Sequence, residues 1–248
     1  MTAKRPIGIG FTHIPPDADQ WRIIDAVVDA LIPLGDTPES IAAARRIKEQ
    51  VCSCFSGFQD VASGRVAIQR LIAETCHQRG EAEQVFESLL SEKRLSMVIR
   101  TTVRMAHAMR DWRDSQQKSV LFMWPAAEFY FAEGNDEQWD WKQVWRRNGG
   151  KFFRGPDENP GERMIALKDD PIWVRINAFR FPFSPFDFES GMDTRDIDAD
   201  EAEAIGLAPS IVGLPPSEKS IRNYLEALKI EEVVRARYGK FLAGELPA

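Results

Sequence analysis

Few side chains in this sequence are placed to do chemistry, so their spacing carries information. Cys52, Cys54, Cys76 and His77 make up three thiols and an imidazole, a donor set that suits zinc. Their arrangement does not suit it. Structural zinc sites use paired knuckles on turns, whereas Cys76 and His77 are neighbours on an expected helix and point about 100° apart. The reading is no metal, with the cysteines as free thiols. The run Asp193 to Glu203 (DTRDIDADEAE) offers Asp196, Asp198 and Asp200 at the alternate positions of a calcium loop. The sixth position would have to be Gly and is Glu201; the twelfth would have to be Glu and is Leu207. An acidic N-cap ahead of a short helix is expected instead.

Nucleophilic catalysis needs a base, and the histidines are His13, His77 and His107. The chain has no G-x-S-x-G, no G-x-x-x-x-G-K-[ST] and no G-x-G-x-x-G after a strand. No catalytic residue and no cofactor is assigned. Arg94, Arg100, Arg104, Arg110 and Arg113 crowd one stretch. Such a run either contacts phosphates or forms a solvated helix face partly neutralised by Glu92, Asp111 and Asp114. Arg100 and Arg104 are the candidates for phosphate or DNA contact. The least ordinary segment holds Phe179, Phe181, Phe183, Phe186 and Phe188 with Pro182 and Pro185 between them. The prolines restrain it in extended form. It is either a buried segment that closes a core or an exposed surface that docks another protein; on the second reading Phe183, Phe186 and Phe188 bind the partner.

The elements that must position these groups are mostly helical. Residues 1–18, with Pro6, Pro15 and Pro16, read as an arm. Over 19–112 the apolar spacing is helical: Trp21 to Leu31, then Thr37-Pro38 as cap and first residue of a second helix, a break flanked by Gly57 and Gly64, a third helix ending near Gly80, and a short fourth over 85–90. After Ser91 comes the clearest helix, with Leu95, Val98, Thr102, Met105, Met109 and Trp112 on one stripe. Arg100, Arg104, His107 and Asp111 lie off that stripe. Residues 113–211 read as a small α+β region: one or two strands over 119–133 broken at Pro125, a helix around Trp141 to Trp145 ended by Gly149-Gly150, a strand over 163–168, a short helix after Pro171, the aromatic loop, and a helix over 198–206 capped by Asp198 or Asp200. Residues 212–248 supply a linker and a final helix from Ser217 to about Leu242. The fold class is therefore α+β, mostly helical: a helical N-terminal half, a small α+β region and a C-terminal helix.

Composition fits a soluble globular chain. Of 248 residues, 44% are hydrophobic and 28% charged, which excludes disordered, collagenous and coiled-coil classes. A net charge of −6 argues against nucleic-acid binding over the whole surface, while a local basic patch stays open. The N-terminus lacks a secretory apolar core, and the most apolar run (VLFMWPAAEFYFA, 120–132) is too short to span a bilayer. A cytosolic chain with no membrane contact is expected.

The stretch SEKRLSMVIRTTVRMAHAMRDW (91–112) resembles a helix of Mu-type phage minor head proteins, the head-morphogenesis family, which carries an I-x-R-T core followed by small residues. Here Ile99, Arg100, Thr101 and Thr102 stand nearest that core, with no residue between Ile and Arg. VLFMWPAAEFYF, with Trp124 and Glu128, is similar to the family's W…D/E segment, and FPFSPFDFESGM stands where the family has P-P-x-x-x-x-C-R-C. The run from RMIALKDDPIW to EAEAIGL resembles a prophage variant. No Cys follows Trp124 and Ser190-Gly191 replaces the C-R-C end, so a metal or bridging role there is not carried over. The resemblance covers about 90–210. It implies a structural, non-catalytic minor head component acting in head assembly or DNA packaging and ejection. The implied partners are a portal or capsid protein, packaged DNA and other copies of the chain. The implied location is the cytoplasm during assembly and the virion head afterwards. Trp124 joins the phenylalanines as a protein-binding candidate. Two alternatives remain: a hydrolase or nuclease, toxin-like, on such a scaffold, and a cytosolic adaptor presenting the phenylalanine loop.

Overall fold

The computed structural model describes residues 14–79, 91–132, 140–154, 162–207, 223–224 and 226–242. Within them the chain is a mostly helical α+β protein. Helices α1 (Ala18–Leu31), α2 (Pro38–Phe55), α3 (Val61–Arg79) and α4 (Glu92–Ser115) form the N-terminal half. The short helix α5 (Lys118–Met123) leads into strand β1 (Ala126–Phe131). Helix α6 (Trp141–Arg147), strands β2 (Phe152–Arg154) and β3 (Glu162–Leu167), helix α7 (Ile172–Ile176), strand β4 (Met192–Ile197), helix α8 (Ala199–Ala204) and helix α9 (Ile230–Leu242) follow. The sheet order is β2-β3-β1-β4, antiparallel at each pairing. The expected arm up to residue 13, the helix over 85–90 and the linker over 212–216 lie outside the described residues.

Local chemistry explains the helix starts. Asp17 and Gln20 form a reciprocal capping box on α1, Thr37 caps α2 with Pro38 at its first position, and Ser91 caps α4. The stripe of α4 is buried from Leu95 to Met109, with Trp112 half-buried at its end, and Met97, Ile99, Thr101 and Ala106 are buried too. Helix α4 is therefore central: it packs on α1, α2 and α3. Its far end is tied to the start of α1 by Arg113, which bonds Asp17 at 2.9 Å and Asp19 at 3.1 Å.

Several expectations change. The stretch that reads as strand before Pro125 is helix α5, because among the described residues no strand pairs with Lys118 to Met123. The break after α2 spans 56–60, and Gly64 lies inside α3. A Cβ there would stand 2.4 Å from Cys54 Sγ, so Gly64 permits α2 and α3 to approach closely. The final helix is interrupted at 228–229, where Arg22 takes the carbonyls of Glu226 (2.6 Å) and Leu228 (3.4 Å), and α9 starts at Ile230. Ser217 lies outside the described residues. Strand β4 occupies the front of the run read as an acidic cap; Asp198 does cap α8, accepting from Glu201 N at 2.7 Å.

The phenylalanine loop joins two cores. Phe179, Phe181, Phe183 and Phe188 pack into the helical core with α1, α2, α3, α4 and α9. Phe186 turns the other way, onto the sheet face made by Ala127, Phe129, Met164, Ala166 and Met192 and covered by α6 and α7. Its ring meets Phe129 edge-on at 4.7 Å. Asn177, fully buried, holds the loop: its side chain donates to the carbonyls of Phe183 (2.7 Å) and Pro185 (3.2 Å) and accepts from Phe179 N (2.7 Å). Asp187 ties the loop to α9 through a two-pronged pair with Arg237.

Candidate functional site

Burial corrects one expectation outright. Phe183, Phe186 and Phe188 are 4%, 0% and 5% exposed, so they cannot dock a partner; they close the two cores. Trp124 is half-buried, at the end of α5. None of the six residues of α5 is buried, and Phe122 and Met123 stand 75% and 52% exposed. Phe122 and Met123 thus present apolar surface at the junction of the helical half and the sheet, beside the half-buried Val120, Leu121 and Trp124. The sequence hid this because the apolar run at 120–124 (VLFMW) reads as a buried strand.

Arg100 is exposed on α4. Arg104, one turn on, is half-buried and committed to β4: it reaches Asp193 Oδ2 and the Met192 carbonyl, both at 3.4 Å. The pair of candidates is therefore split, one facing solvent and one spent as a strut. His107 is half-buried. Its ring stacks on Phe55 at 4.1 Å, and Nε2 lies 3.3 Å from the Phe55 carbonyl. Burial pushes its pKa down, against the opposing pull of that carbonyl, so the ring is neutral at pH 7. His77 is exposed on α3, and His13 lies outside the described residues. None of the three cysteines is in a disulfide. Burial pushes the Cys54 thiol up to about 11 and raises Cys52 as well, so neither is a ready thiolate. Among the described residues no three His, Cys, Asp or Glu side chains are grouped to hold a metal.

On the sheet face opposite Phe186, Glu128 is buried between two arginines. Its carboxylate accepts from Arg163 (2.6 Å) and Arg195 (2.8 Å), and Arg163 continues to Glu201 of α8 at 2.5 Å. The register explains the meeting: Glu128 faces Arg195 across β1 and β4, and Ile165 across β1 and β3. Burial alone would raise the Glu128 carboxyl, but the two guanidiniums outweigh it and hold the pKa below the usual 4.5. A carboxylate so held is a weak base, which makes the group a strut linking β1, β3, β4 and α8. Its stability contribution is complete above the unfolded value and lost as pH falls through the lower folded value. E128Q is expected to cost about 2–4 kcal/mol at pH 7. In urea melts the gap to the parent should narrow as the pH drops below 4.5; a gap that stays constant would contradict this account.

A cleft lined by Asp19, Arg22, Ile23, Met109 and Ile230 holds about 10 Å³, room for about one water. No helix among the described residues is long and apolar enough to cross a membrane. No protein family, curated protein or solved structure matches the chain.

Proposed function

We propose that this chain is a structural, non-catalytic minor head component of a phage or prophage particle, binding the portal or the capsid interior during head assembly or DNA packaging and ejection. The observation that carries the reading is the exposed apolar pair Phe122 and Met123, beside the half-buried Trp124. Phe122 and Met123 together in water are a cost that a partner surface removes. The resemblance over 90–210 names the class of partner. Glu128, Arg104 and His107 support the reading, since each is engaged in holding elements together. The chain would be made in the cytoplasm and end in the virion head.

The test is mass spectrometry of DNA-filled particles from a culture that carries the gene. The chain is expected at a low, fixed ratio to the major capsid protein. F122D/M123D should melt like the parent, because both side chains are exposed, yet its particle occupancy should fall by about tenfold or more, as loss of an interface hot spot does. Presence of the parent free in the lysate with none in particles overturns the proposal.

A further inference from the structure

The chain is acidic overall, yet one turn gathers positive charge. Arg146 and Arg147 end α6, Lys151 opens the approach to β2, Arg175 lies in the last turn of the adjoining α7 and Arg180 follows it; all five are exposed. The turn between them brings them together. Gly149 adopts φ +86°, and a Cβ on Gly150 would stand 2.3 Å from Trp145 Nε1, so only glycine lets the chain fold back over the buried indole. That indole donates to the Lys151 carbonyl at 2.8 Å. Trp145 and Trp173 meet at 5.6 Å, which sets α6 beside α7. A Cβ on Gly149 would lie 3.7 Å from an Arg175 amino group, and Arg180 donates to the Arg175 carbonyl at 3.4 Å.

Arg175 pairs with Asp170 at 3.5 Å. Arg146, Arg147, Lys151 and Arg180 have no ion-pair partner among the described residues. Two cations in the last turn of a helix are explained by its dipole. Arg175 likewise sits in the last turn of α7, but Lys151 and Arg180 lie outside both helices, so helix dipoles do not account for the whole cluster. We propose that this turn, with Arg146, Arg147, Lys151, Arg175 and Arg180 around it, contacts the phosphate backbone of duplex DNA. Duplex is favoured over single strands because binding of single strands uses exposed aromatic platforms. Here Trp141, Trp145 and Trp173 are buried, and Arg146 lies over Phe152 at 5.1 Å. The contact reads charge and carries no sequence preference. It rests on this turn alone, so it and the particle assignment fail separately.

The flanking segments 133–139 and 155–161 bring Glu133, Asp136, Glu137, Asp157 and Glu158 in sequence, so the intact chain is the right sample. Fluorescence anisotropy with a labelled duplex of about 30 base pairs, titrated between about 50 and 200 mM salt, reads the contact. Binding is expected to weaken with salt at a log–log slope of about −3 to −4, as for three or four neutralised phosphates. R146Q/R147Q/K151Q should weaken binding by more than about tenfold and flatten the slope by about 2–3. R147Q/K151Q, which spares the Arg146–Phe152 stack, should do about two thirds of this if the triple variant folds poorly. R45Q/R46Q, which removes two exposed charges from α2, should change binding by less than about twofold. The proposal is overturned if the parent does not bind at the lower salt. It is equally overturned if the turn variants bind like the parent, if R45Q/R46Q loses as much, or if polyglutamate competes as well as DNA.

Discussion

R237L is expected to lower stability by about 3–5 kcal/mol at pH 7, because it leaves the Asp187 carboxylate buried without its cation. The Asp187 side chain is 3% exposed and that of Arg237 17%. Leucine keeps much of the arginine stem, so the loss reports charge more than packing. Burial raises the Asp187 carboxyl above its usual 3.8, with Arg237 pulling the other way. Removing Arg237 removes that pull, so the folded value rises further above the unfolded one. A raised carboxyl is fully tolerated below the unfolded value and costs stability as pH rises towards the folded value. The gap between R237L and the parent should therefore narrow from pH 7 to pH 5, and D187N/R237L should recover most of it. Asparagine can still accept from Phe188 N, which bonds Asp187 Oδ1 at 2.9 Å. Urea melts at the two pH values give the answer. A gap that is unchanged or wider at pH 5, or a double variant no better than R237L, would contradict it.

N177A is expected to cost about 3 kcal/mol or more, since it strips partners from two carbonyls and one amide that Asn177 satisfies in a buried loop. For a chain of this size that is about 6–12 °C in Tm. N177D should be worse, because a carboxylate oxygen would face the Phe183 and Pro185 carbonyls in place of an amide donor. Thermal melts of the three proteins test the ranking. An N177A loss under about 1 kcal/mol would mean that packing of the phenylalanines alone holds the loop.

What the sequence made legible follows from periodicity and caps. The stripe of α4, the Thr37-Pro38 start of α2 and the Asp198 cap of α8 each rest on neighbours within a few residues. What stayed hidden depends on partners far along the chain. Asp187 and Arg237 are fifty residues apart, and Arg104 and Asp193 eighty-nine. The direction of each loop phenylalanine is set by which core it faces, so no spacing rule announced that Phe186 parts from Phe183 and Phe188. The resemblance points to Trp124, but the exposed pair beside it reads as strand interior because Val120 to Met123 has strand-like composition. The basic turn is not legible in the sequence because its five charges come from two segments separated by more than twenty residues. Of the residues singled out for a site, Trp124 and Arg100 face solvent at least in part, whereas Arg104 and the three phenylalanines are structural.

Strand β4 was hidden by its own composition, and that composition has a use. β4 and β2 are the outer strands of the sheet among the described residues, and an outer strand offers unpaired amides and carbonyls to any passing chain. On β2 only three residues are long enough to pair. On β4 the central residues are Asp193, Thr194, Arg195 and Asp196, and Arg104 already occupies the Met192 carbonyl. A second sheet approaching that edge would have to bury alternating charges and displace a guanidinium. That edge therefore disfavours joining of sheets between copies, even where the exposed Phe122 and Met123 bring copies together.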